Sequence, residues 1–172
     1  MKKFNLIAAL LLVVTFGFAQ EKTSQIPSVT VKTLDGKSFN TADINNDGHP
    51  IILSFWATWC KPCVKELTTI ADVYEDWVDE TGVKLVALSI DNTRSSSNVK
   101  PLINGTRWTY QVLLDVNQEF KRAMNVNMVP HTFLLNGKGE VVWQHTSFSE
   151  VSELELIELV KKLNRGEDVS AH

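Results

Sequence analysis

The feature that most constrains this chain is Cys60-Lys61-Pro62-Cys63, which holds the only two cysteines in the sequence. An apolar run, Ile51-Ile52-Leu53, leads toward it through Ser54-Phe55-Trp56-Ala57-Thr58-Trp59. An amphipathic run follows, in which Val64, Leu67, Ala71, Tyr74 and Val78 recur at the helical period and are expected to share a buried face. The pattern is strand, tight turn, helix, with the cysteines at the helix start. Cys60 then lies where unpaired backbone N–H groups point outward. The positive end of the helix dipole favours a thiolate there. Pro62 fits the first turn because its missing N–H has no intrahelical partner to lose. Cys63 lies one turn on, within reach of Cys60 for a disulfide.

A bare C-x-x-C also serves zinc sites. Strand before, helix after, tryptophan ahead and proline between the cysteines narrow it. Phe55-Trp56-Ala57-Thr58-Trp59-Cys60-Lys61-Pro62-Cys63, with Glu66-Leu67, resembles the thioredoxin superfamily. It is most similar to the TlpA/ResA-like extracytoplasmic thiol–disulfide oxidoreductases, over roughly residues 26 to 164. The resemblance implies an α/β, thioredoxin-like fold: a central mixed β-sheet flanked by helices, with an added N-terminal β-hairpin.

The ends of the chain read separately. Lys2 and Lys3, an apolar core from Leu6 to Val14, and Gly17-Phe18-Ala19 have the form of a signal peptide over 1–19, cleaved near Ala19. An uncleaved membrane anchor is the alternative, disfavoured by the short apolar core. No cysteine stands near the cleavage site to carry a lipid. The thioredoxin-like domain is assigned to 26–165 and a polar tail to 166–172. Export makes the mature chain periplasmic or otherwise extracytoplasmic, where structural disulfides are common. Two cysteines are too few for a stapled scaffold, and about 150 residues bury an adequate core without staples. The chain has 17 Lys+Arg and 20 Asp+Glu; without the two leader lysines its net charge is −5. No basic patch with interleaved aromatics appears, so nucleic acid is not an expected partner.

Along the mature chain, Ser28 to Val31 reads as a strand and Leu34-Asp35-Gly36-Lys37 as a hairpin turn, with Ser38-Phe39 returning. Ile51–Trp56 is a strand apolar enough to be buried on both faces. A helix over 61–80 ends at Gly82, and Val83–Ile90 is the next strand. Helix 98–104, an edge-side strand Tyr110–Leu114, helix 117–124 and a hairpin turning at Asn136-Gly137-Lys138-Gly139 follow. Ser147 to Glu150 has capping-box form before a last helix whose apolar face is Leu156, Val160 and Leu163.

The chemistry expected is thiol–disulfide exchange: Cys60 attacks a client disulfide, and Cys63 resolves the mixed disulfide. A purely structural disulfide here would stabilise little, because it closes so small a loop. The resemblance implies a cis-proline facing the cysteines, and Val129-Pro130-His131-Thr132-Phe133 matches that position. The Val129 backbone would then pair with a client strand, and Trp59 would form an apolar rim, while Trp56 packs. Thioredoxins carry a buried acid where this chain has Ser54, so proton transfer must be organised otherwise. Asp91 is the candidate acid after the second central strand, set against a helix-cap or loop role. Glu66, three residues past Cys63, is also a candidate for proton transfer or pKa tuning, set against its default reading as a solvated helix residue. His131, as a cation, would lower the Cys60 pKa; His49 and His145 have no motif support. No cofactor or metal is expected. The partners implied are a client protein with cysteines or a disulfide, such as an apocytochrome, and a membrane thiol donor. Readings kept beside the reductase are an oxidase or isomerase, a copper(I) carrier using Cys60, Cys63 and His131, and a peroxidase.

Overall fold

The computed structural model describes residues 24–146 and 152–169. The leader, the 147–150 capping segment and the last three residues lie outside this range.

The chain runs β1 (Ser24–Gln25), β2 (Thr30–Thr33), β3 (Ser38–Asn40), β4 (Ile51–Trp56), α1 (Lys61–Thr81) and β5 (Lys84–Ser89). It continues α2 (Val99–Gly105), β6 (Gln111–Leu114), α3 (Glu119–Ala123), β7 (His131–Leu135), β8 (Glu140–Thr146) and α4 (Ser152–Asn164). Among the described residues the strands form one mixed sheet, ordered β1-β8-β7-β4-β5-β6-β2-β3. Every residue of β4 is buried, because it lies between β5, parallel to it, and β7, antiparallel. Such a strand has no solvent face to mark with polar residues, so its sequence is nearly continuous in apolar side chains.

The expected N-terminal hairpin is β2–β3, turned at Gly36, whose φ of +83° suits a residue without Cβ. It pairs with β6 through Lys32 opposite Leu114. The strand expected at the edge side is therefore internal: the added hairpin covers it and takes up its free N–H and C=O groups. At the opposite edge, Ser24–Gln25 pairs with β8, so the sheet begins ahead of residue 26. The tail is not wholly polar surface either, since Val169 is buried.

Helix α1 ends as expected, at Gly82 in the left-handed conformation with its N–H on the Val78 carbonyl. Its buried face is the expected one only in part: Leu67 and Tyr74 are inside as expected, but the face is rotated. Cys63, Glu66, Leu67, Ile70, Tyr74, Trp77 and Thr81 are inside, while Val78 is exposed and Val64 and Ala71 are only half-buried. Leu67 and Tyr74 lie between two apolar stripes, Val64–Ala71–Val78 on one side and Ile70–Trp77 on the other, and the stripe carrying Trp77 wins the sheet because it removes more apolar area from water. The rotation carries Glu66 into the interior.

Helix α4 packs on α1. Leu156 and Val160 are buried as expected, joined by Ile157 and Leu159, whereas Leu163 is only half-buried. The C-terminal ends of the two helices are tied by Asn164 Nδ2 donating to the Thr81 carbonyl at 2.7 Å and by a Lys161–Glu80 ion pair at 3.0 Å. Aromatic contacts link the end of β4 to α1: Trp56 meets Trp108 edge-on at 4.9 Å, Trp108 meets Tyr110, and Tyr110 meets Tyr74.

Candidate active site

The strand–turn–helix sequence places Cys60 as the N-cap of α1, in extended conformation. Its Sγ accepts the Cys63 N–H at 3.3 Å, so the sulfur does what a capping oxygen usually does. Pro62 sits in the first turn. Cys60 and Cys63 are joined by a disulfide with an S–S distance of 2.00 Å. Cys60 is 6% exposed and Cys63 1%. Of the two sulfurs, the one at the helix end is the more accessible.

The β4–β7 register puts Phe55 opposite His131. The segment just before His131 therefore lies beside the turn that carries Trp59 and Cys60. That segment contains the Val129–Pro130 peptide bond, which is cis, as the resemblance implies. Pro130 is buried and Val129 half-buried. Trp59, just ahead of Cys60, and Met128, two residues ahead of Pro130, are each 61% exposed, while Trp56 is fully buried packing. Met128 carries no motif and is not singled out by the sequence.

Two acids lie buried near the cysteines. Asp91, at the end of β5, is 0% exposed. Its oxygens accept the Thr58 N–H at 2.8 Å, the Thr58 hydroxyl at 2.7 Å and the Ser89 hydroxyl at 2.8 Å. It is neither a helix cap nor a solvated loop acid; it ties the end of β5 to the turn ahead of Cys60. Glu66 is the larger correction. It is 6% exposed, not solvated, because the buried stripe of α1 runs 63–66–67–70–74–77–81. Its Oε1 accepts the Thr132 hydroxyl at 3.3 Å, and Thr132 also lies 3.3 Å from the Ser54 hydroxyl. Its Oε2 has no partner among the described residues. Burial pushes its pKa up to about 7; the Thr132 bond opposes this, and the nearby Glu153 adds to it. A buried acid thus stands on the helix beside Ser54 and Thr132, although none stands at position 54 itself. The sequence signal for it was present: Glu66 is three residues after Cys63, on the period of Tyr74 and Trp77.

His131 does not act as the expected cation. It is buried at the start of β7, its ring stacked on Phe133 at 4.4 Å with Nε2 hydrogen-bonded to Gln144 Oε1 at 3.1 Å. Burial pushes its pKa down, toward the neutral ring. His49 is an exposed residue next to Gly82, at the other end of α1, and His145 stacks on Trp143.

Comparison with known proteins fits this geometry. Residues 23–144 match the AhpC/TSA family. The chain is 34% identical over 125 residues to sporulation thiol-disulfide oxidoreductase A of Bacillus subtilis, covering 72% of this chain and 73% of that protein. It is 34% identical over 131 residues to the thiol-disulfide oxidoreductase ResA of Bacillus anthracis, covering 74% and 73%. The solution structure of an uncharacterised thioredoxin-like protein from Porphyromonas gingivalis superposes with a TM-score of 0.73 at 48% identity, covering 81% of this chain and 92% of that one.

Proposed function

The chain belongs to the AhpC/TSA family and is a thioredoxin-like thiol–disulfide oxidoreductase, and from that premise we propose that it is an exported reductase of protein disulfides using Cys60 and Cys63. The observation that carries this reading is the Cys60 sulfur at the N-cap of α1, holding the Cys63 N–H. When the pair is reduced, the same N–H and the helix end stabilise a thiolate on Cys60. The client docks on the Trp59 rim with its backbone along Val129 and Pro130. Cys60 attacks the client disulfide, forming one S–S bond as another breaks. Cys63 gives its proton to Glu66, one turn along the helix, and attacks Cys60 Sγ. The client leaves reduced and the protein is left oxidised. Asp91 holds the turn through Thr58, and the roles of Glu66, Val129 and Pro130 belong to the same proposal.

The signal-peptide form of residues 1–19 supports an extracytoplasmic location. There a membrane thiol donor would regenerate the dithiol, and apocytochrome cysteines are suitable clients. The direction follows from modest thiolate stabilisation. A strong oxidant needs a strongly favoured dithiol form, and the buried, uncharged His131 adds no cation beside Cys60.

Two measurements test this. Cys63→Ser should trap a mixed disulfide on Cys60 and Cys60→Ser none; equal trapping would sink the assignment. Equilibration against glutathione or dithiothreitol should give a potential well below about −180 mV. A more positive value would favour an oxidase or isomerase.

A further inference from the structure

The mechanism above leaves unused a half-buried carboxylate with one buried oxygen. Glu153, in the first turn of α4, has an Oε2 atom that is buried and without a partner among the described residues, as does Glu66 on α1. Two carboxylate oxygens without donors are a costly thing to bury. Their placement gives the reason they occur together. The tie between Asn164 and Thr81 fixes the C-terminal ends of α4 and α1 side by side. Counting equally far back from that tie brings Glu153 to the level of Ile70. Helical side chains lean toward the N-terminus, which carries the Glu153 carboxyl toward the turn that holds Glu66.

We propose that Glu153 is a second acid of the redox site, sharing one proton with Glu66 and passing it between the interior beside Cys63 and the outer side of α4. The pair bears one negative charge instead of two, which removes the need for two separate donors. Around Glu66 the groups from each packed element are Cys63 on its own helix, Glu153 from α4, Tyr110 from the segment before β6, and the neutral hydroxyls of Thr132 and Ser54. No cation among these holds both carboxyls ionised. Glu66 is closed to water, whereas Glu153 is only half-buried, so Glu153 is the member through which a proton reaches solvent. That Glu153 adds to the upward shift of Glu66 agrees with the pairing.

This rests on the Cys60–Cys63 reading, and its proton balance is closed. The Cys63 S–H bond breaks as an O–H bond forms on Glu66. The Cys63 electron pair forms the new bond to Cys60 Sγ, and the client sulfur leaves with the electrons of the broken S–S bond. The Glu66 proton moves to Glu153 and then to water, which restores the base.

Carboxyl-carbon NMR of the oxidised protein tests the pair without any thiol chemistry. The Glu66 and Glu153 signals, assigned with Glu66→Gln and Glu153→Gln, should each titrate in the same two steps. Glu153→Gln should reduce Glu66 to one step, with its midpoint lowered by about half a pH unit or more. Independent single-step curves in the unaltered protein, or an unmoved midpoint in the variant, would overturn the proposal. The wild-type curves decide it even if the variant fails to fold. The pH profile for release of a thiol held in mixed disulfide on Cys60 should move down with the Glu66 midpoint; a profile that stays put while the titration moves would overturn the relay. Equal trapping by the two serine variants, by contrast, would defeat the cysteine assignment and leave the carboxyl titration intact.

Discussion

Two buried carboxylates flank the Cys60–Cys63 pair, and they are built to opposite ends. Asp91 is saturated: three donors from Thr58 and Ser89 lie at 2.7–2.8 Å from its oxygens. Glu66 is starved: one hydroxyl at 3.3 Å reaches one oxygen, and nothing among the described residues donates to the other. Both are equally out of water. The difference teaches that burial alone does not mark a chemical acid. A carboxylate whose oxygens are all occupied is a structural tie, and removing it strands its donors. One left short of donors has its proton affinity raised by desolvation and is free to take or give a proton near neutral pH.

The sharpest break of the comparison is Asp91→Ala. It leaves a backbone N–H and two hydroxyls buried without an acceptor, at a cost of about 3 kcal/mol or more. Urea unfolding should show a large fall in midpoint, together with slower exchange as the turn before Cys60 loosens. A loss under about 1 kcal/mol would mean that Asp91 is no tie.

The pH dependence comes next. Glu66 goes from an ordinary 4.5 to about 7 on folding. The folded state therefore binds more protons between those values. Its stabilising contribution is complete below about 4.5 and lost as pH rises through about 7. The shift corresponds to about 3 kcal/mol as an upper figure. Denaturant unfolding as a function of pH should show this decline, and Glu66→Gln should abolish it, leaving the variant at least as stable as the parent at pH 8. A decline that persists in the variant would assign it to another group.

Thr132→Val sharpens the contrast from the other side. It deletes the bond that lowers the Glu66 pKa, so the Glu66 midpoint should rise, by about half a unit. Carboxyl-carbon NMR reads this directly, and a fall would contradict the hydrogen-bond assignment. The smallest effect on exchange is expected for Thr58→Val, which removes one of three bonds to Asp91. About 1 kcal/mol of stability should go, with the pH profile of exchange unchanged.

The local parts of this protein were legible in the sequence. Ile51–Trp56, Cys60 at a helix start, Pro62 in the first turn and Gly82 at the end depend on neighbours within one or two turns. Backbone sterics, missing N–H groups and orphan donors act over that range. The role of Pro130 and the hairpin's standing as an addition to the core came from resemblance, whereas the hairpin turn itself was read from Leu34-Asp35-Gly36-Lys37. What the sequence left open is long-range. α1 carries two usable stripes, and periodicity cannot choose between them. The choice falls to the sheet, which takes Ile70 and Trp77 and with them Glu66. Its hydroxyl partner is Thr132, 66 residues away. His131 is beside the cysteine segment in register and its ring stacks on Phe133 two residues along β7, but only the packing of β7 on β8 gives it Gln144. A charge state depends on how much water is excluded and which dipoles replace it. Those are properties of the assembled interior, so the sequence by itself determined where the sulfurs sit, and only the tertiary structure decided which nearby acid is buried short of donors.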